Sequence, residues 1–226
     1  MLKGIALIDM DGTLLTERSI DYICEALGLT HKLKEIDAQS NFLPSYETSK
    51  KIAKLLEGIE VKKIEKIFDR IRINPWSKEL IQYLKGKGFS IIIVSESYEF
   101  LVKRLAKKLG IKHFYANKLK IVDGKISGNL IGRAPHKVIN GCKQHSLCKL
   151  SILESIKKRF NGKIIAIGDS DVDICMVKNA DIGIAYNPKS EELKKVAKIV
   201  SYDYRELIKD LDKLLFYGMK NAKGND

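Results

Sequence analysis

The chain has 226 residues, 45% of them hydrophobic and 31% charged, and a formal net charge of +13. This is an ordinary make-up for a soluble globular protein of one or two domains, long enough to bury a core. No apolar run approaches membrane-spanning length, and Lys is spread through helical patterns such as Lys103, Arg104, Lys107 and Lys108 without interleaved aromatics, so no membrane is expected and nucleic acid is disfavoured.

A basic field of this size favours anionic substrates. The few apolar residues ahead of Asp9 are too short for a signal peptide, which makes cytoplasmic the expected location. There Cys24, Cys142, Cys148 and Cys175 are expected to be reduced thiols.

In chain order, Ile5-Ala6-Leu7-Ile8 reads as a short buried strand that stops at Asp9-Met10-Asp11-Gly12-Thr13. Gly12 permits a sharp turn there. A helix over 19–29 follows, then a polar stretch leading to Pro44. Two amphipathic helices are expected near 46–57 and 61–71, separated by Gly58, before Asn74-Pro75-Trp76 breaks the pattern. Residues 16–74 therefore read as a small all-helical domain inserted behind the first strand.

From Ser77 helices and strands alternate. A helix ends at Gly86 and Gly88, Phe89 to Val94 is a buried strand, and a helix runs from beyond Ser97 to Leu109. His113–Ala116 suits a short strand, and Asp123-Gly124 between alternating residues signals a hairpin within 119–130. A helix over 151–160, strands at 163–167, 182–185 and 198–201, short helices near 174–178 and 191–197, and a terminal helix from 203 or 204 to 216 complete the chain. Such alternation predicts an α/β fold: a three-layer, Rossmann-like core with a parallel sheet (1–15 and 75–226) and the helical cap (16–74).

In open α/β sheets the site lies beyond the carboxyl ends of the strands. Three strands here end in polar groups: Asp9 and Asp11, Ser95, and Asp169 with Asp173 four residues on. Lys149, just ahead of the helix leading to the third strand, adds an amine. Each of these residues alone has a bland reading as a turn or helix cap. Together they gather four acids, a hydroxyl and an amine at one sheet edge. Paired carboxylates are costly to ionise side by side, and a divalent cation such as Mg²⁺ removes that cost.

Asp9-Met10-Asp11-Gly12-Thr13, Val94-Ser95, Lys149 and Gly168-Asp169-Ser170-Asp171-Val172-Asp173 resemble, in order, the four motifs of the haloacid dehalogenase superfamily. The helical insertion stands where its phosphoserine-phosphatase-like branch carries a cap. The resemblance implies a Mg²⁺-dependent phosphomonoesterase acting on a small phosphorylated metabolite, with Asp9 as nucleophile and Asp11 as acid and then base. It also implies Asp9, Asp11 (through its carbonyl), Asp169 and Asp173 as metal ligands, and Ser95 and Lys149 on the phosphoryl oxygens.

That branch has a glutamate near Arg18, a glycine pair where Glu96-Ser97 stand, and a cap arginine near Lys50 or Lys51. Arg18 and Lys50 are the candidate substrate contacts in the cap, and an Arg welcomes a further anion rather than an ammonium. This points to an altered substrate pocket. Cys148-Lys149 is also similar to the phosphocholine and phosphoethanolamine phosphatase branch, whose cationic leaving groups Arg18 disfavours.

His136, Cys142, His145 and Cys148 have the types for Zn²⁺ without a recognisable spacing. Alternatives to hydrolysis are a phosphotransferase of the same superfamily and a catalytically weak phosphate-ligand-binding protein. A helical cap surface suits a monomer and a homodimer equally.

Overall fold

The computed structural model describes residues 2–40, 42–132 and 144–221, with side chains to 215. A strand that is apolar on both faces has to be covered on both faces. Strand β1 (Gly4–Ile8) is buried throughout and lies at the centre of a seven-stranded sheet ordered β4-β3-β2-β1-β5-β6-β7. The others are β2 (Phe89–Tyr98), β3 (His113–Val122), β4 (Lys125–Ile131), β5 (Lys163–Gly168), β6 (Ile182–Tyr186) and β7 (Ile199–Ser201). Every neighbouring pair is parallel except the β3–β4 hairpin.

The pleat divides the core in two. Ala6 and Ile8 pack with Ile91, Ile93, Ile165 and Ile167 on one face, while Ile5 and Leu7 pack with Ile92, Val94, Ile164 and Ala166 on the other. Helices α5 (Ser77–Gly86), α6 (Glu99–Lys108) and α10 (Tyr204–Asn221) cover the first face. Helices α7 (Lys149–Lys157), α8 (Ile174–Asn179) and α9 (Glu191–Val196) cover the second. The expected three-layer α/β architecture is what forms. Among the described residues no helix is long and apolar enough to cross a membrane.

Between β1 and β2 the chain forms α1 (Ser19–Ala26), α2 (Thr30–Gln39), α3 (Ser45–Leu55) and α4 (Val61–Phe68), and among the described residues it adds no strand to the sheet. Helix α2 occupies the expected polar connection. Leu33 is its one buried residue, so most of its surface faces solvent and its apolar stripe is faint in the sequence. Ile23, Leu33, Ile52, Leu56, Ile64 and Phe68 join the first core face without a break.

The insertion also reaches the sheet margin. Gly58 N donates to Ile126 O (2.8 Å), Ile126 N to Ile59 O (3.0 Å) and Val61 N to Gly124 O (2.9 Å). The α3–α4 connection thus covers the outer edge of β4, which would otherwise be open to pairing. Asp123 and Gly124 both have positive φ, 50° and 75°, the geometry of the turn their sequence signals.

Three further boundaries differ from expectation. β2 runs on through Ser95 to Tyr98, with a register irregularity after Val94. β3 is continuous where two pieces were expected, and Lys149 is the first residue of α7 instead of preceding it. The ends of the insertion meet where Leu15 bridges Ile73 and Thr16 N donates to Arg72 O (3.1 Å). Asn74 clamps them: its Nδ2 donates to Thr13 O (2.5 Å) and Leu15 O (3.2 Å).

Asn74→Ala is expected to lower the unfolding free energy in urea by about 1–3 kcal/mol, since part-buried carbonyls lose their donor. A loss well under ~0.5 kcal/mol, small against that range, would place the closure elsewhere.

Candidate active site

β1 is where the strand order reverses: the chain builds β2 and β3 on one side of it and β5 to β7 on the other, which opens a crevice at the carboxyl ends. Asp9 follows β1, Asp169 follows β5, and Asp173 closes the turn after it. Their carboxylates gather within 4.8 Å of one another, all three buried. Among the described residues no other set of His, Cys, Asp or Glu comes together so closely.

Two glycines make this approach possible. A side chain on Gly12, at φ +76°, would begin 2.1 Å from Asp169 Oδ2, and one on Gly168 would begin 2.2 Å from Asp173 Cγ. Lys149, also buried, reaches in from the start of α7. Its Nζ donates to Asp9 Oδ1 (2.5 Å) and Asp173 Oδ1 (2.6 Å). Asp173 Oδ2 accepts from Asp169 N (3.1 Å) and Ser170 N (3.3 Å), so one carboxylate fixes both the ammonium and the loop that carries Asp169.

The electrostatics follow from burial. Asp9 is pushed well above the usual carboxylate range by loss of solvent, with the neighbouring acids adding to Lys149's incomplete compensation. Burial raises Asp169 as well, against the partly exposed Lys189, whose Nζ lies 2.8 Å from its Oδ2. For Lys149 burial would favour the neutral amine, but Asp173 and Asp9 outweigh it and keep the ammonium. The excess negative charge is hard, oxygen-based and concave, a donor set that suits a small divalent cation.

Asp11 is differently placed. Its carboxylate turns away from this cluster and accepts from Ser19 N (3.0 Å) and Ser19 Oγ (3.0 Å) at the start of α1, so the bland capping reading is true of it as well. Burial lifts it to about 6, against those hydrogen bonds. Ser19 Oγ in turn lies 3.2 Å from Ser97 Oγ. Ser95 is buried beside the cluster, and its Oγ accepts from Ser97 N (3.1 Å).

Above these groups lies a cavity of about 480 Å³, walled by the core on one side and by α1 to α3 on the other. Arg18 lines it, but its guanidinium is already held by Asp37 (2.7 and 3.2 Å) and Asp21 (3.1 Å). Lys50 is not brought to the cavity. It pairs with Glu47 (3.0 Å) and sits over the Tyr46 ring on an exposed stretch of α3.

Glu96, read as stray negative charge beside an anion, turns instead to the segment ahead of Lys149. Its Oε1 accepts from Ser146 Oγ (2.8 Å) and Leu147 N (3.3 Å), and its Oε2 lies 3.4 Å from His145 Nδ1. Of the possible zinc cluster, Cys148 Sγ accepts from Ser151 at the start of α7, and His136 and Cys142 lie outside the described residues. Ser19, Asp37 and Lys189 escaped the sequence reading. Ser19 alone had a signal, as a hydroxyl at a helix start.

Residues 6–178 match the model of the haloacid dehalogenase-like hydrolase family. The phosphoserine phosphatase of Methanocaldococcus jannaschii is 31% identical over 211 residues, 92% of this chain and 97% of that protein. That of Archaeoglobus fulgidus is 30% identical over 86% of this chain, which spans only 55% of its length. Among solved structures, a phospho-aspartyl intermediate analogue of phosphoserine phosphatase superposes with a TM-score of 0.78 at 30% identity, covering 92% of this chain and 99% of that one.

Asp11 yields a signed expectation. With a folded pKa of about 6 against an ordinary 3.8, the folded chain holds this proton more tightly than the unfolded one. Stability from this group is therefore greatest at low pH and declines as pH rises from about 4 through about 6. Compared with Asp11→Asn in calorimetry without divalent cations, wild type is expected to lose ground over that window. A flat difference would refute the raised value.

Proposed function

Because the chain belongs to the haloacid dehalogenase-like hydrolase family and is a phosphatase of phosphoric monoesters, we propose that it is Mg²⁺-dependent, acts on a small phosphorylated metabolite, and works through an aspartyl-phosphate on Asp9. One observation carries this reading. Two aspartates of a single turn have different partners, Asp9 on the Lys149 ammonium within the acid cluster and Asp11 on Ser19 of α1, outside it. A nucleophile must be ionised and a general acid protonated. Burial lifts Asp11 to about 6, while Asp9, raised by burial among acids, has the Lys149 ammonium and would have a bound cation to favour its ionised form.

In the first step an Asp9 oxygen bonds to phosphorus as the ester oxygen departs, and Asp11 delivers the proton that oxygen needs. In the second, Asp11 takes a proton from water as the water oxygen bonds to phosphorus, which frees phosphate and restores Asp9. Lys149 and Ser95 face the phosphoryl oxygens, Lys149 as a point charge. Asp9, the Asp11 carbonyl, Asp169 and Asp173 would hold Mg²⁺, which when bound supplies the positive charge that lets the acids and a phosphate dianion share one pocket. Asp173 would also position Lys149 and the loop that carries Asp169 through its two oxygens.

Residues 16–74 form the cap that excludes water and selects the leaving group, with 1–15 and 75–226 as the core. The pocket is altered relative to phosphoserine recognition. Arg18 disfavours a substrate ammonium, while Asp37 and Asp21 already balance its charge, so a substrate carboxylate must share it.

A panel of monoesters (phosphoserine, phosphoglycolate, phosphocholine, sugar phosphates, nucleotides) assayed for phosphate release with Mg²⁺ tests this. Release from one member should vanish in chelator, return with Mg²⁺, and fall by at least about 10³-fold in Asp9→Asn, the loss of a nucleophile. Residual turnover near wild type in Asp9→Asn would refute the assignment.

Asp37→Asn is expected to raise kcat/KM for phosphoglycolate relative to a sugar phosphate by about tenfold, the worth of one charge-assisted contact. An unchanged ratio would show that Arg18 does not meet the leaving group.

A further inference from the structure

The segment that delivers Lys149 is tied to the cap and to the residue after Ser95 through one buried network. Ser146 stands at its centre. Its Oγ donates to Glu96 Oε1 (2.8 Å) and accepts from Asn117 Nδ2 (2.8 Å) and from Ser49 Oγ (3.0 Å). Ser49 belongs to cap helix α3, and the same helix start is joined to the segment where Tyr46 N donates to Gln144 O (3.1 Å). Asn117, on β3, also donates to Glu96 O (2.6 Å), fixing the backbone next to Ser95. Glu96 Oε1 further accepts from Leu147 N (3.3 Å), two residues before Lys149, and Cys148 then caps the helix that Lys149 opens.

Ser146, Asn117 and Lys149 are each at least nine-tenths buried. Buried polar groups that satisfy one another hold a single arrangement, because any slip leaves a donor or acceptor unpaired. The carboxylate of Glu96 thus reaches the Lys149 segment from the strand that carries Ser95.

We propose that Glu96 is a positioning residue: through Ser146 and Leu147 it sets the Lys149 ammonium against the phosphoryl site and couples that setting to the docking of cap helix α3 through Ser49. This rests on Lys149 as the phosphate-binding cation. Loss of the Glu96 carboxylate leaves Ser146 and Leu147 N without their acceptor and lets the segment move, so the cost falls on phosphate held by Lys149. The turns after β1 and β5 that carry the proposed Mg²⁺ ligands are reached only indirectly, through Lys149 on Asp9 and Asp173. On the cap side, Ser49, which lines the cavity, makes the same connection from α3.

Inorganic phosphate is the probe, because it has no leaving group for the cap to contact. Its inhibition constant against p-nitrophenyl phosphate hydrolysis, measured with Mg²⁺, is expected to rise about tenfold in Glu96→Ala, one lost charge-assisted bond, and about threefold in Ser146→Ala and in Ser49→Ala. Glu96→Gln, which keeps an acceptor oxygen, should stay within about threefold of wild type and serves as the folded control. The Mg²⁺ concentration for half-maximal activity should shift less than the phosphate constant in each of them, because the carboxylates themselves remain and only their Lys149 partner is displaced.

In a Lys149→Met background, measured as phosphate binding by calorimetry, adding Glu96→Ala should cost nothing more. Additive losses, or an unchanged phosphate constant in Glu96→Ala, would overturn the positioning role while leaving Lys149 in place. Unaltered phosphate binding in Lys149→Met alone would remove the phosphate assignment and the positioning role with it. Effects in Glu96→Ala and Ser146→Ala without one in Ser49→Ala would overturn the coupling to the cap.

Discussion

Buried carboxylates around one buried ammonium set the terms for the rest of the molecule. Asp9, Asp169 and Asp173 cannot all be ionised out of water unless positive charge is brought to them, and Lys149 supplies only part of it. The fold answers with geometry. Two adjacent parallel strands, β1 and β5, end side by side, glycines at 12 and 168 let their turns close to within a side chain's width, and α7 starts where its first residue can point between them. A phosphatase profits from this frustration, because a cation drawn in by the shortage of positive charge that raises Asp9 would also offset the charge of a phosphate ester.

The helical insertion is part of this arrangement and not an appendage. Its apolar residues run into the core face shared by α5, α6 and α10, its middle connection covers the edge of β4, and its ends are clamped by Asn74 beside the turn that carries Asp11. Asp11 itself is held by the first helix of the insertion. Asp11 and the first helix of the insertion are therefore joined directly.

Much of the architecture was legible because periodicity reports burial. β1 and β5 read as strands since both their faces are covered, and Asp123-Gly124 read as a hairpin because few other pairs accept positive φ twice. α2 was missed since a helix with one buried residue has almost no stripe to read. The continuation of β2 through Ser95 was missed for a related reason. Ser95-Glu96-Ser97 is polar, yet it lies beneath the insertion, where polar side chains satisfy one another instead of meeting solvent.

Local sequence by itself determined the class of fold and the family resemblance now borne out across residues 6–178, and it named the acids that the structure brings together at the ends of β1 and β5. Only the tertiary structure decided what those residues face. Arg18 reads as a free cation until Asp37, nineteen residues on, is folded against it. Lys50 reads as a neighbour of the pocket until α3 turns it toward Glu47, and Glu96 as a misplaced charge until Ser146, fifty residues away, arrives beside it. Charge is a property of a residue, but its effect depends on what lies within a few ångströms, and distant segments of the chain supply that.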